Sequence, residues 1–223
     1  DLLLTEKVKA GSRVLFEGAQ SVLLDVSLGE QPYVTSSRTG PSYAYVGGDL
    51  SCRYHRKSIG VIKAIMSRVG AGAFPSEFGG ERSADYCNNA LSNNIGRDQE
   101  AKLNVPMLLA SNDVLDIGKG LRIATGEYGT GSGRPRRIGA LDLVNLKSTA
   151  SLHGIDEIYI NKCDSLALFK STREGTIPLI VGYQRGGESG TETIHFDSFE
   201  NIDSSRSKPV SLPRQLDVLL KFV

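Results

Sequence analysis

The sequence has no apolar run approaching the ~18 residues that a membrane-spanning helix requires, and no signal peptide is visible. It has no excess of either charge. Its 26 basic and 25 acidic residues leave a net charge of +1, which removes any bulk electrostatic case for a nucleic-acid or membrane partner. Cysteine is scarce. Cys52, Cys87 and Cys163 are odd in number and far apart, which suggests the reduced thiols of a cytosolic protein rather than a disulfide framework. His55, His153 and His195 are scattered, with no metal-ligand spacing and no Ser or Cys in a triad-like pattern beside them. There is no tandem repeat and no low-complexity segment.

What is present suits a folded α/β protein. Hydrophobic residues make up 39% of the 223, enough for a core, and the 23% of charged residues leave too little net charge for a disordered tail. At about 150 residues per domain, the length suggests one large domain or one and a half. Glycine is the outlier, with 25 residues, or about 11% against a typical ~7%. The chain begins at Asp1 in mid-pattern, where DLLLTEKVKAG reads as the tail of a helix closed by Gly11, and it stops inside the apolar-periodic SLPRQLDVLLKFV. Both ends read as those of a piece of a longer protein.

Between the ends, residues 13–18 (RVLFEG) read as a buried strand, and 21–28 as a short helix or a second strand. Residues 29–48 are turn-rich. Residues 59–69 read as a strand or a buried helix, with a strand favoured at the end, and 70–80 as loop. Within the polar stretch 81–120 a helix is expected at 105–110, since Pro106 suits a first helical turn. Residues 141–153 form a good helix candidate, with Leu143, Leu146 and Ala150 on one face and Gly154 as the stop. DEIYIN (156–161) and IPLIVGY (177–183) read as strands, GGESG (186–190) as a hairpin tip and TETIHF (191–196) as the returning strand. Strands interleaved with helices predict an α/β fold, with a mostly parallel central sheet, flanking helices and an antiparallel hairpin.

Three constellations could carry chemistry. Asn161-Lys162-Cys163-Asp164 stands at the C-terminal end of the DEIYIN strand, where open α/β sheets place ligands. An N-K-x-D order there reads guanine. The carboxylate of Asp164 can accept from both N1–H and N2–H, and Lys162 can lay its stem along the base. An ordinary polar strand end has the same letters. Gly129-Thr130-Gly131-Ser132-Gly133-Arg134-Pro135-Arg136-Arg137 alternates glycines that let backbone N–H groups approach an anion, then adds three guanidiniums. No Gly-Lys-[Ser/Thr] closes it, so it is not a Walker A loop; a flexible basic surface loop is the other reading. Phe16-Glu17-Gly18-Ala19-Gln20, then Tyr33-Val34-Thr35-Ser36-Ser37, offer an amide suited to the lactam edge of a 6-oxopurine and hydroxyls suited to a phosphate. Turns are also hydroxyl-rich for structural reasons. The cluster Arg53-Tyr54-His55-Arg56-Lys57 reads as a solvated face, or as a patch facing a phosphate or a partner.

These motifs, with Pro32, Ser67-Arg68-Val69-Gly70-Ala71-Gly72, Phe74-Pro75 and Leu141-Asp142, occur in the order found in adenylosuccinate synthetases, and the chain resembles that family over roughly residues 12–223. The resemblance implies a P-loop-NTPase-like synthetase fold. It also implies a ligase that joins L-aspartate to C6 of IMP, using GTP and magnesium: the 6-oxygen is phosphorylated, then the aspartate amine displaces that phosphate. By motif, Gln20 would contact the hypoxanthine and stabilise the 6-phosphoryl intermediate, and Thr35 would bind the IMP phosphate. Val69 and Gly70 would lie near that nucleotide. Thr130, Gly131, Ser132, Gly133, Arg134 and Arg136 would hold aspartate, with Arg134 also near the IMP ribose and Arg136 also at the GTP phosphates. Lys162, Cys163 and Asp164 would form the guanine site.

There are departures. The family's N-terminal third, with its phosphate loop, catalytic aspartate, magnesium ligand and catalytic histidine, has no counterpart in these residues, nor has the C-terminal guanine-contacting turn. Residues 1–223 would thus be the central and C-terminal part of a single synthetase-like domain, with no metal ligand of its own. The stretch SSRTGP (36–41) is unusual, Gly131-Ser132 replaces two hydroxyl residues, and Ala140 stands where tryptophan is usual. These changes resemble compact archaeal and phage relatives, one branch of which ligates aspartate to dGMP. A GTP-binding switch could also show N-K-x-D, but would need a P-loop. The expected protein is cytoplasmic and homodimeric, with small-molecule substrates and neither a nucleic-acid nor a membrane partner.

Overall fold

Short helices and strands alternate through the residues that the computed structural model describes, which are 2–48 and 50–183, with Thr191–Asp197 as backbone. In chain order they are α1 (Leu3–Lys9), α2 (Tyr43–Gly47), β1 (Ile59–Lys63), β2 (Met66–Arg68), α3 (Gly80–Asn88), α4 (Arg97–Glu100), α5 (Val105–Leu109), α6 (Val114–Thr125), β3 (Arg137–Gly139), β4 (Leu141–Asp142), α7 (Leu143–His153), β5 (Glu157–Asn161), β6 (Thr176–Tyr183) and β7 (Thr191–Asp197). The chain divides into two units, Asp1–Gly60 with Ser148–Tyr159, and Val61–Lys147 with Ile160–Val223.

In the first unit α1 ends just before Gly11, as its sequence indicates. The strand expected over 13–18 does not form. Leu15 is 86% exposed, and no segment among the described residues pairs with RVLFEG. Apolar content alone does not make a strand; the ladder needs a partner. Residues 21–28 form a 3-10 turn, Val22–Leu24, followed by turns. The buried residues of this unit, among those described, are Asp25, Leu50, Ser58 and Ala150. Two of the four are polar, and polar groups do much of the tying. Ser58 N–H donates to Asp156 Oδ2 at 2.7 Å, and Asp156 N–H returns to Ser58 O at 2.9 Å.

The second unit holds an apolar core built from Ala64, Ile65, Leu109, Leu121, Ile138, Leu141, Leu143, Leu166, Phe169, Ile177 and Leu179. Strand β4 runs parallel to β6, with Leu141 opposite Leu179, and α7 and β5 lie between them in sequence, as a parallel pair requires. Strand β7 returns antiparallel on β6, the expected hairpin; its GGESG tip, like SLPRQLDVLLKFV, lies outside the described residues. Residues 59–69 split into β1, paired with β5, and β2, antiparallel to β3. The result is an α/β fold with parallel strands, flanking helices and an antiparallel hairpin.

The stretch 81–120 carries more helix than its sequence suggests. The expected α5 forms, with Asn104 accepting from Met107 N–H at its start. Helices α3, α4 and α6 accompany it. Helix α6 is concealed by its own glycines. A Cβ at Gly118 would meet Phe78 at 3.0 Å, and one at Gly120 would meet Leu109 at 3.0 Å, so the glycines are where α6 packs closest.

Candidate functional site

In the second unit Lys162 follows β5 with a left-handed backbone, φ +57. Its carbonyl accepts from both the N–H (3.0 Å) and the hydroxyl (2.5 Å) of Ser165, which fixes the turn. The ammonium then reaches Glu127 Oε1 at 2.5 Å and Thr125 O at 2.9 Å. Glu127 is buried, one residue past the Gly126 that ends α6. Its Oε2 accepts from Lys63 Nζ of β1 at 2.7 Å and from Arg136 Nη1 at 3.1 Å. Burial alone would raise the Glu127 pKa, but hydrogen bonds from Lys162 and Lys63, and their charges, bring it down from 4.5 to about 2. Three cations surround one carboxylate. Of the residues that the sequence points to, Lys162 and Arg136 are therefore brought together, on a carboxylate that the sequence reading did not single out. Asp164 is exposed beside them, and Cys163 is half-buried with its Sγ on Ile160 O.

The three arginines of the glycine loop have three different fates. Arg134 lies along the end of α3: Nε donates to Cys87 O at 3.1 Å, and Nη2 to Asn88 O and Oδ1 at 3.2 and 2.9 Å. A guanidinium on the last carbonyls of a helix caps it and opposes the negative end of its dipole. Arg136 reaches Glu127, and its Nε is buried with no hydrogen-bond partner among the described residues. Arg137 is buried. It meets both oxygens of Glu77 through Nε and donates through Nη1 to Gly70 O and Gly72 O at 3.1 and 2.7 Å. Arg137 thus holds the Gly70 loop, while Val69 at the end of β2 is half-exposed. The loop closes on itself through Gly129 N–H to Arg134 O (2.8 Å) and Gly133 N–H to Gly129 O (2.9 Å). Its tip, Thr130, Gly131 and Ser132, is exposed.

Behind the loop lies a buried network that the sequence does not announce. Glu100 and Arg122, each 1% exposed, are paired through two hydrogen bonds of 2.8 and 2.5 Å. Tyr86 and Tyr128 donate their hydroxyls to the same carboxylate at 2.9 and 2.7 Å. Arg122 Nη1 also holds Arg136 O at 3.2 Å. Burial pushes Glu100 up, but Arg122 and the two hydroxyls more than offset it and its pKa falls. Both tyrosines are pushed up, by burial first and Glu100 second. The network grips the loop on both sides, at Tyr128 and at Arg136. Its only sequence signal is a charged residue on a short polar helix, which reads as solvated.

In the first unit, Gln20 is exposed with φ +63, and Thr35 is half-buried with its N–H on Leu24 O at 2.8 Å. Asp25 organises the double loop that carries both. Its carboxylate accepts from Ser27, Leu28, Thr39 and Gly40 N–H groups at 2.8, 3.0, 2.6 and 3.3 Å. These bonds, led by Thr39, hold its pKa well below the ordinary carboxylate range. Thr39 Oγ1 donates to Ser21 O at 2.8 Å, next to Gln20. In the basic cluster 53–57, Lys57 pairs with Glu157, and His55 meets the Tyr45 hydroxyl and Ser58 Oγ.

An exposed glycine-loop tip, arginines and an N-K-x-D turn suit anionic ligands that carry a guanine, and comparison with known proteins narrows this. A sequence model of adenylosuccinate synthetase matches residues 1–210. Adenylosuccinate synthetase 2 of Cupriavidus pinatubonensis is 51% identical over 221 residues, covering 99% of this chain and 48% of the relative. Adenylosuccinate synthetase of Thermoplasma volcanium is 37% identical over 210 residues, covering 94% and 38%. Among solved structures, the fully ligated adenylosuccinate synthetase of Plasmodium falciparum superposes with a TM-score of 0.70 at 24% identity, over 99% of this chain and 48% of that one, a likeness of fold. The chain spans about half the length of the curated relatives it matches, or less. With the family's match running almost end to end and its motifs in order, the chain belongs to the adenylosuccinate synthetase family.

Proposed function

We propose that this chain supplies the aspartate loop, the guanine-reading turn and part of the IMP site of a ligase that joins L-aspartate to C6 of IMP. GTP gives its γ-phosphoryl group to O6, the aspartate amine attacks C6, and the phosphate leaves, yielding adenylosuccinate, GDP and phosphate. The observation that carries this is the meeting of Lys162 and Arg136 on the buried Glu127 carboxylate. One belongs to the N-K-x-D turn and the other to the arginine loop, so groups suited to a guanine nucleotide and to a dicarboxylate share one anchor.

In this reading Asp164 takes the N1–H and N2–H of guanine, Lys162 flanks the base, and Cys163 contributes to the same turn. Arg136 faces the GTP phosphates and aspartate. The exposed tip, Thr130, Gly131 and Ser132, offers N–H groups and hydroxyls to the aspartate carboxylates, Gly133 turns the chain behind it with φ +65, and Arg134 joins it near the ribose. Gln20 holds the hypoxanthine edge, Thr35 takes the IMP phosphate, and Val69 and Gly70 border that nucleotide. Aspartate brings two carboxylates and both nucleotides bring phosphates, so fixed N–H groups and guanidiniums orient every substrate and neutralise its charge. Magnesium would supply further neutralisation of the transferring phosphoryl group. Among the described residues no three His, Cys, Asp or Glu side chains gather to hold a metal. Among them, too, no helix is long and apolar enough to cross a membrane. We extend the proposal to a homodimer in the cytoplasm.

The test is a direct assay of the full-length natural protein carrying this chain, with IMP, GTP, magnesium and aspartate. Adenylosuccinate should form, and omission of aspartate or replacement of GTP by ATP should abolish it. Nucleotide hydrolysis without a new C–N bond, or turnover with dGMP and none with IMP, would refute the proposal.

A further inference from the structure

We infer that Glu127 is a positioning residue that links the guanine-reading turn to the arginine loop, so that one buried carboxylate sets the cations offered to two substrates. The inference rests on the functional reading above, in which Lys162 faces GTP and Arg136 faces aspartate and the GTP phosphates. Glu127 is well placed to act as a reference point. Its side chain is 5% exposed, and its backbone is tied twice, by its N–H to Arg122 O at 3.0 Å and by its carbonyl to Arg136 N–H at 3.1 Å. The two carboxylate oxygens divide the work. Oε1 takes Lys162, and Oε2 takes Arg136 and Lys63.

The charge count points to a ligand rather than to a fold contact alone. Among the described residues three cations face one anion, so two positive charges are left uncompensated within the cluster. A purely structural ion pair has no reason to gather a surplus, because like charges repel at these distances. Donor capacity is also left over. Among the described residues the Lys162 ammonium uses two of its three donors, on Glu127 and Thr125, and the buried Arg136 Nε has no partner. The carboxylate holds its cations together and leaves them underused, which is what a preformed anion site needs.

In the full-length protein, Glu127→Gln keeps the shape and removes the charge. KM for GTP and KM for aspartate should each rise about tenfold, while KM for IMP should change less than about twofold and kcat should hold within about threefold. A cycle with Arg136→Lys separates positioning from general loosening: added to Glu127→Gln, it should raise KM for aspartate by much less than it does alone. Full additivity, or an unchanged KM for GTP, overturns the inference. Glu127→Asp keeps the charge but shortens the reach, and should give an intermediate rise. If Glu127→Gln fails to fold and Glu127→Asp shows unaltered KM values, the inference is equally overturned. If the unmodified protein makes no adenylosuccinate, the functional reading falls instead. Titration with a fluorescent GDP analogue then still reads the link: its affinity should drop about tenfold in Glu127→Gln, and an unchanged affinity overturns it.

Discussion

Asp164 is exposed at the head of the turn that follows β5, and its value lies in what it cannot do. A carboxylate only accepts, so it matches two donors on one edge of a base and leaves adenine unpaired. Asp164→Asn replaces one acceptor by a donor that confronts guanine N2–H₂ but suits the O2 of xanthine. In the full-length protein kcat/KM for GTP should fall by about two to three powers of ten and XTP should become the better substrate. Rates with GTP, ATP and XTP decide it, and an unchanged GTP value would remove Asp164 from the guanine site. Glu127 makes a prediction about acid. Its folded pKa, about 2, lies below the 4.5 of an ordinary glutamate, so the folded state binds its proton less readily than the unfolded state. Its stabilising contribution is therefore complete above about pH 4.5 and fades as the pH falls towards 2. The amount is at most about 3 kcal/mol, less the screening that water gives the partly exposed lysines. Urea unfolding between pH 6 and 3 should show this loss, and Glu127→Gln should show a shallower slope in that range.

Among the helices, α3 and α6 matter most to the loop. Arg134 sits on the last carbonyls of α3, the same guanidinium that is proposed to meet aspartate and the ribose. Arg134→Leu should therefore raise KM for aspartate by about 10- to 100-fold, the worth of a charge-assisted hydrogen bond, with a smaller change for GTP. Unchanged aspartate kinetics would leave Arg134 as a helix cap alone. The Glu100–Arg122 pair joins α4 to α6 with both partners out of water. Removing one partner strands the other, so Glu100→Gln should cost about 3–5 kcal/mol in denaturant unfolding. Replacing both, as Glu100→Leu with Arg122→Met, should cost less than the two single changes added together, since neither charge is left alone. A sum equal to the separate losses would mean that the tyrosine hydroxyls, not the ion pair, dominate the network.

Across the whole molecule the two units differ in kind. The second has the apolar core, and the first is tied largely by polar contacts such as the Asp25 loop. Amide exchange should accordingly be slowest in β4, β6 and α6 and fastest over residues 2–48. Equal protection in both would contradict this division. The same contrast explains what could be read from sequence. Strands β5 and β6 and helix α7 were legible because their apolar spacing records a real face, and N-K-x-D was legible because it follows such a strand. RVLFEG misled because a strand is a property of two segments. Glu127 was hidden because its partners Lys63, Arg136 and Lys162 are 64, 9 and 35 residues away, and nothing local marks a carboxylate that the fold will surround. Glu100 and Arg122, 22 residues apart, were hidden for the same reason.

Re-engineering the glycine loop means treating its three arginines separately. Arg134, Arg136 and Arg137 are the same letter within four positions, yet they answer to different measurements. A charge removed at 137 frees Glu77 and the Gly70 turn, and registers first in the melting curve. A charge removed at 136 leaves those ties intact and, on the proposed reading, should register in affinity for anions. At 134 it unfastens a helix end and, on the proposed reading, should weaken aspartate binding as well. Redundancy in spelling is not redundancy in duty, and a charge-for-charge library across the loop would be free to vary at one of these positions while selection for solubility held another fixed.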